Sequence, residues 1–429
     1  MQGGTWYRTS TREVLVVLAA ISAVLAVLSA RPLLMVVTVG LLLLVHERTG
    51  SRPQDPVDVS VETAPIAENE PENGKLTMRL TLKAPISSLA AVTVRYPGAD
   101  DTSVVTAVQQ DCSVSITVPM ARTGIRDLGE IAVTTVSDDG LFMTEPMVHR
   151  PDRVMVLPQP EHLPHVPTSS SVRGLTGPHR SSKRGSGTEF HDVDVMQRGD
   201  RTSTINWRAT ARRSPDLDQL YVRRTDAQAE SDIILMIDSR DDVGREIDLW
   251  GSGSAPRPDQ RTSLDIARIA GSSLAKAHLD LGDRVGCDDL GRPRPPVPPS
   301  AGRRHMVRIL YALAMASPYG APQHRVRPPA LPTGARVYLL TTCLDDVAPH
   351  MTAQLVSHGH DVIVIDTLPK LSTWGLTQRT QLGWRIVNIE REARLHTIRS
   401  LGVDIIAWDQ EVPNERLAAI AHATRRTRR

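Results

Sequence analysis

From Asp232 onward the chain repeats one pattern: short, continuously apolar runs alternate with longer segments of helical spacing. Asp232–Ile237 is the first apolar run. Ser263–Leu281 then places Leu264, Ala267, Ile269, Ala270, Leu274, Ala277 and Leu281 close to a 3.6-residue period. A strand follows the Gly282-Asp283-Arg284 turn, and a helix is predicted over about Arg304–Ala316. Further strands are predicted at Val337–Thr341, Val362–Ile365 and Ile405–Trp408, with helical segments between them and a last one from Glu415. Strands apolar on both sides need cover on both faces, so the fold class is α/β with a mostly parallel sheet.

The chain has 429 residues, too many for one ordinary core, so two or three domains are expected. A net charge of +2 gives no general nucleic-acid signal. Cys112, Cys287 and Cys343 are widely separated and form no CxxC pair. That spacing fits neither a disulfide framework nor a zinc site.

At the other end, Val14–Val45 is almost wholly apolar, broken only at Arg31-Pro32. One helix over this run would measure about 48 Å, well beyond a ~30 Å hydrocarbon core. Two short helices, roughly Val14–Ala30 and Leu33–Val45, fit better, because proline makes a natural hinge. Arg8 and Arg12 precede the first, Arg48 and Arg52 follow the second, and only Arg31 lies between. The positive-inside rule then predicts a two-span hairpin in the inner (plasma) membrane, with both ends and all soluble domains cytoplasmic. The lipid bilayer would be the first partner. A re-entrant hairpin that never crosses is the alternative.

These readings divide the chain into a hairpin with short flanks (1–50), a β-rich domain (51–157), a linker (158–188) and an α/β domain (189–429). The β-rich part carries period-two segments at Leu76–Lys83, Ala91–Tyr96, Val104–Val108, Ser113–Val118 and Ile131–Val136, which suggest a small antiparallel sandwich or open sheet. Residues 158–188 are rich in Pro, Ser, Gly and Arg.

Gly199-Asp200-Arg201-Thr202-Ser203-Thr204-Ile205-Asn206-Trp207-Arg208-Ala209-Thr210-Ala211-Arg212 lies about twenty residues before the strand that ends at Asp238. This stretch resembles the signature of the DUF58 family, and Asp138-Asp139-Gly140-Leu141-Phe142 is similar to a turn in the same family. The resemblance implies a membrane-associated protein whose C-terminal half is a von Willebrand factor A/Rossmann-like domain. Ser203 stands where the family usually has arginine, and Asp194-Val195-Met196 where it has an Arg-x-Tyr sequence, so the member is divergent. Within the motif Trp207 is expected to plug the domain core, with Asp200 paired to an arginine. The alternative makes Gly199, Asp200, Asn206, Trp207, Arg208 and Arg212 a docking surface, Arg208 and Arg212 sharing one helix face.

Ligands of open parallel sheets bind at the carboxyl ends of strands, near a switch point, and Asp238 occupies such an end. In von Willebrand A domains that position opens the metal-ion-dependent adhesion site Asp-x-Ser-x-Ser, part of an oxygen cage for Mg²⁺. Here the loop reads Asp238-Ser239-Arg240-Asp241-Asp242. Asp238 and Asp242 are the candidate metal residues of a degenerate site, with Asp345-Asp346 as a further source of carboxylate. Arg240 would repel a divalent cation, and its guanidinium could take the cation's place against Asp238 or Asp242. No cofactor is therefore expected, Mg²⁺ being the exception to consider. No GxxxxGK[ST], GxGxxG, HExxH or Ser-His-Asp context is present.

The function this implies is a non-enzymatic membrane-anchored adaptor or scaffold. The family resemblance points to a MoxR-type AAA+ ATPase and other von Willebrand A proteins as partners. The rival is a cryptic metal-dependent hydrolase using the Asp238/Asp241/Asp242 loop.

Overall fold

The computed structural model describes residues 5–47, 57–63, 75–84, 87–109, 111–119, 121–138, 140–167, 179–197, 200, 202–214, 218–229, 231–252, 255–291, 294–319, 329–409 and scattered positions in 415–421. The chain divides into two compact units, mainly Met1–Ala121 with Arg126–Val154, and Arg122–Ile125 with Met155–Pro256 and Gln260–Arg429.

The first unit runs β1 (Trp6–Arg8), α1 (Thr11–Ser29), α2 (Pro32–Glu47), β2 (Asp58–Thr63), β3 (Lys75–Lys83), β4 (Ser88–Arg95), β5 (Thr102–Val108), β6 (Asp111–Pro119), β8 (Glu130–Ser137), β9 (Phe142–Thr144) and β10 (Met147–His149), while β7 (Gly124–Arg126) and β11 (Val154–Val156), which pair with each other, fall mostly in the second. One sheet has the order β1-β9-β8-β4-β5, with β10 also on β8; another has β2-β3-β6, all antiparallel. Alternation drives the packing. Met78, Leu80 and Leu82 of β3 meet Ala90, Val92 and Val94 of β4, and Ile131 and Val133 of β8, in one core. The period-two segments read from the sequence thus fall in two antiparallel sheets whose buried residues share one core.

The N-terminal hairpin is helical, and its turn is where Pro32 requires it, with Ala30 in the left-handed conformation closing α1. The transmembrane expectation is corrected: among the described residues no helix is long and apolar enough to cross a membrane. The physical reason is length. Arg12 and Glu13 fall in the first turn of α1, leaving Val14–Leu28, about 22 Å at 1.5 Å per residue, against a ~30 Å core. Helix α2 is shorter, at 16 residues. Neither the two-span hairpin nor the inner-membrane location built on it stands.

The second unit contains β12 (His179–Val195), α3 (Trp207–Arg213), β13 (Tyr221–Ala229), β14 (Asp232–Ile237), α4 (Ser263–Asp280), β15 (Arg284–Asp289), β16 (Val297–Ser300), α5 (Arg303–Met315), β17 (Arg336–Thr341), α6 (Val347–Ser357), β18 (Asp361–Asp366), α7 (Gln378–Ser400) and β19 (Asp404–Ala407). Its main sheet has the order β16-β15-β14-β17-β18-β19, parallel except for the edge strand β16. Strand β14 is buried from Ile233 to Ile237, as a central strand with both faces covered must be. Its two faces feed two cores, one with Leu264, Leu274 and Leu313 of α4 and α5, the other with Met351, Leu395 and Ile398 of α6 and α7.

Helix α4 starts where Thr262 N donates to Asp265 Oδ2 at 3.1 Å, a capping box. Its far end is tied down by His278, whose Nδ1 lies 2.8 Å from Asp283 Oδ2 and Nε2 2.9 Å from Tyr338 Oη of β17. Strand β12 pairs antiparallel with β13 and begins at His179, so the last part of the segment read as linker belongs to a strand.

Candidate functional site

The chain leaves β14 toward β15 on one side and later returns to β17 on the other, so the sheet reverses direction at the carboxyl end of β14. Crevices of open α/β sheets form at such points. Asp238 stands there, with Asp288 and Asp289 at the end of β15, Thr341 at the end of β17 and Asp345 in the loop leading to α6.

Arg240 fills the space between these carboxylates. Its Nε donates to Asp238 Oδ1 at 2.8 Å and its Nη2 to Asp238 Oδ2 at 2.7 Å, a bidentate pair. The same guanidinium reaches Asp345, with Nη1 on Oδ2 and Nη2 3.2 Å from Oδ1. Thr341 Oγ1 adds a donor to Asp238 Oδ2 at 2.8 Å. The Arg240 side chain is buried, and its acidic neighbours hold its pKa above the usual arginine range despite desolvation.

The rest of the rim is held by its own partners. Ser239 Oγ donates to Asp289 Oδ1 at 2.5 Å, and Gly291 N to the same oxygen at 2.9 Å. Burial is the main cause holding Asp289 above the ordinary carboxylate range, with the Ser239 and Gly291 hydrogen bonds opposing it. Gly291 is needed for space: a Cβ there would stand 2.4 Å from Ser239 Oγ. On the next loop Arg391 pairs with Asp366 and donates from Nε to Thr342 O at 3.0 Å. Arg394 bonds Asp346 Oδ1 at 2.6 Å and Leu344 O at 3.0 Å.

Asp242 turns away from Asp238. Its Oδ2 accepts from Arg122 Nη2 at 2.6 Å, and its Oδ1 is buried with no hydrogen-bond partner among the described residues. The two sequence-predicted metal residues are thus directed to different arginines. A divalent cation at this place would need several oxygens free to converge, but both oxygens of Asp238 and both of Asp345 already accept from Arg240. The donor set does not fit Mg²⁺. Among the described residues no group of three or more His, Cys, Asp or Glu side chains is arranged to hold a metal ion. The same convergence is what the hydrolase alternative requires, and the geometry does not favour it.

Asp241 sits beside this pair. Burial first, then the charges of Asp238 and Asp345, push its carboxyl up to about 6, with Arg240 opposing. In the unfolded chain a carboxyl of this type releases its proton near pH ~4. Between these values the folded state holds more protons, so stability present below pH ~4 is lost as pH rises through about 6. Asp241→Asn is therefore expected to raise the melting temperature at pH 8 and leave it unchanged near pH 4. A uniform shift at both pH values would sink this account.

The Gly199–Arg212 motif has a separate location. Gly199 and Arg201 lie outside the described residues. Asp200 Oδ2 accepts from Gln197 N at 2.7 Å, closing a turn. Ile205 bridges Val222, and Asn206 N donates to Tyr221 O at 2.8 Å, which fixes the segment against β13. Asn206 then caps α3, its Oδ1 accepting from Ala209 N at 3.1 Å. Thr210 is buried and its hydroxyl accepts from Tyr221 N at 3.0 Å.

Trp207 does not plug the core. As the first residue of α3 it projects outward and is 64% exposed. The core expectation fails because Asn206, Thr210 and Ile205 already supply the local order, leaving the indole on the outer face. Arg208 and Arg212 are exposed on the same short helix, and Arg213 lies 5.5 Å over the Tyr221 ring.

Several site residues had a weak sequence signal. Asp288-Asp289 end a strand, the same signal that singled out Asp238. Nothing local marked Thr341 or Arg122.

No curated protein and no solved structure matches the chain. The model of the family described as "Protein of unknown function DUF58" matches residues 192–394, a span that holds Asn206, Trp207, Arg240 and Asp345, and this match supports the DUF58 family for the chain.

Proposed function

We propose that this chain is a protein-docking module, built on a von Willebrand A-like domain in which an arginine stands where a cation would. The carrying observation is Trp207, 64% exposed on a helix whose folding does not use it. Tryptophan and arginine are the residues that most often dominate interface energetics, and Trp207, Arg208 and Arg212 lie together on α3. The parallel sheet with Asp238 at its reversal point supports the von Willebrand A-like reading. Arg240 supplies internally the charge that a metal would bring, so docking is independent of divalent cations. The resemblance to DUF58 proteins points to a MoxR-type AAA+ ATPase as partner, with other von Willebrand A proteins as further candidates.

The test uses the full chain and a purified MoxR-type ATPase in Mg²⁺-ATP, read by biolayer interferometry. Trp207→Ala is expected to weaken binding at least tenfold, about 1.4 kcal/mol or more, while the melting temperature stays within ~1 °C. A melting temperature lowered by many degrees would return Trp207 to a structural role. Undiminished binding would remove it from the interface.

A further inference from the structure

The first half of α7 presents an apolar stripe that nothing among the described residues covers. Leu382, Ile386 and Ile389 are exposed at i, i+4 and i+7, while the helix buries Arg391, Leu395 and Ile398 from its second half. Trp384, on another side of the same half, packs edge-on against Trp250 at 5.6 Å between ring centroids, so the stripe is held on a fixed helix. Isolated exposed apolar residues are ordinary, but a contiguous stripe on one helix face marks an interaction surface.

Two further features on this face identify the occupant. Gly383 lies beside Ile386 on the helix surface, and a Cβ there would meet nothing within 4 Å. A glycine in mid-helix destabilises by about 1 kcal/mol relative to alanine, and no contact inside the chain requires it. It leaves a hole suited to a knob from another helix. Arg379 and Glu390 flank the stripe at opposite ends of the same face, both exposed, with Glu390 loosely shared with Arg394 at 3.7 Å. One basic and one acidic end around an apolar centre is the pattern that an antiparallel copy of the same helix complements.

The register is consistent. A two-fold axis midway between Gly383 and Ile386 sets Ile386 of each copy over Gly383 of the other. That same axis places Arg379 opposite Glu390, because both pairs are centred on one point. An isologous contact must satisfy such a reciprocity. We infer that α7 is a homodimerisation helix, pairing antiparallel with α7 of a second copy of this chain through Leu382, Gly383, Ile386 and Ile389. This surface is distinct from Trp207 and does not rest on the docking reading.

Cysteine cross-linking of the full chain tests it, in a Cys112→Ser background because Cys287 and Cys343 are already buried. Ile386→Cys lies next to the axis, where Cα atoms of two close-packed helices fall within the range that a disulfide can bridge. Mild oxidation is expected to give a disulfide-linked dimer, whereas Arg399→Cys at the far end of α7 gives none. Adding Arg379→Glu sets like charges opposite each other and is expected to lower the cross-linked yield about fivefold. Adding both Arg379→Glu and Glu390→Arg restores it. No cross-link from Ile386→Cys, equal yields from Ile386→Cys and Arg399→Cys, or a yield indifferent to the charge changes would each overturn the proposal. Those results would give the stripe to a different protein or to none.

Discussion

Asp265→Ala is expected to be the most damaging single substitution in the α/β unit, lowering stability by about 3–5 kcal/mol. The carboxylate is fully buried, and every direction around it is occupied by a donor. Oδ1 accepts from Thr123 N at 2.7 Å, Thr123 Oγ1 at 2.9 Å and Arg268 Nη1 at 3.0 Å. Oδ2 accepts from Thr262 N at 3.1 Å, Thr262 Oγ1 at 2.8 Å and Arg122 Nε at 3.2 Å. Removing it takes the shared carboxylate from two buried guanidinium groups and uncaps α4 at once. Stranding a buried charge, rather than losing a pair, is what makes such changes severe. Arg268 would keep carbonyl partners at Leu313, Thr123 and Ala316; Arg122 would keep Asp242. Asp265→Asn should fare little better, since its amide would turn donors toward donors. Urea unfolding of the full chain, followed by a probe in the α/β unit, measures the loss. A change below ~1 kcal/mol would mean that the network contributes geometry and no stability.

Arg240 carries the second large effect, because here stability and metal affinity are expected to move together. Arg240→Met leaves the Asp238 carboxylate buried with Thr341 as its remaining side-chain donor. A loss of about 3–5 kcal/mol is expected. Asp238→Asn added to Arg240→Met should recover part of it, and the double-mutant cycle isolates the pair. Arg240→Ser removes the guanidinium and supplies a hydroxyl. Titration calorimetry with Mg²⁺ and Mn²⁺ is expected to show no affinity tighter than about 1 mM for the wild type, in the weakest range of oxygen-ligand sites. Micromolar binding by the wild type would overturn the docking-without-metal reading, since Arg240 would then have to leave Asp238. Binding acquired only by Arg240→Ser would show that one residue closes the site.

Periodicity carried the second unit far. Asp232–Ile237 was legible to the residue because a central parallel strand must be apolar throughout, and α4 followed from its 3.6-residue spacing. Arg240 was legible as an obstacle to a cation by its charge alone. Its pairing with Asp238 was one of two readings open in the sequence, but its second partner was not legible, because Asp345 lies 105 residues away and only the pairing of β14 with β17 brings the two loops together. Arg122 is further still, 143 residues from Asp265.

Trp207 and the N-terminal hairpin show the opposite limit. A tryptophan between apolar neighbours reads as core, yet whether it faces in or out depends on where α3 begins, and Asn206 sets that start by capping Ala209. The apolar run Val14–Val45 read as two short membrane spans hinged at Arg31-Pro32, whereas the helices it forms are too short to cross, with Glu13 in the first turn of α1 and only 16 residues in α2. Local pattern by itself determined the α/β alternation of the second unit, most of its strands and helices and the charge of the candidate site, because each depends on the order of residues along one element. Tertiary structure alone decided which carboxylates meet Arg240 and which apolar side chains remain outside, because burial and pairing are set between elements distant in the chain.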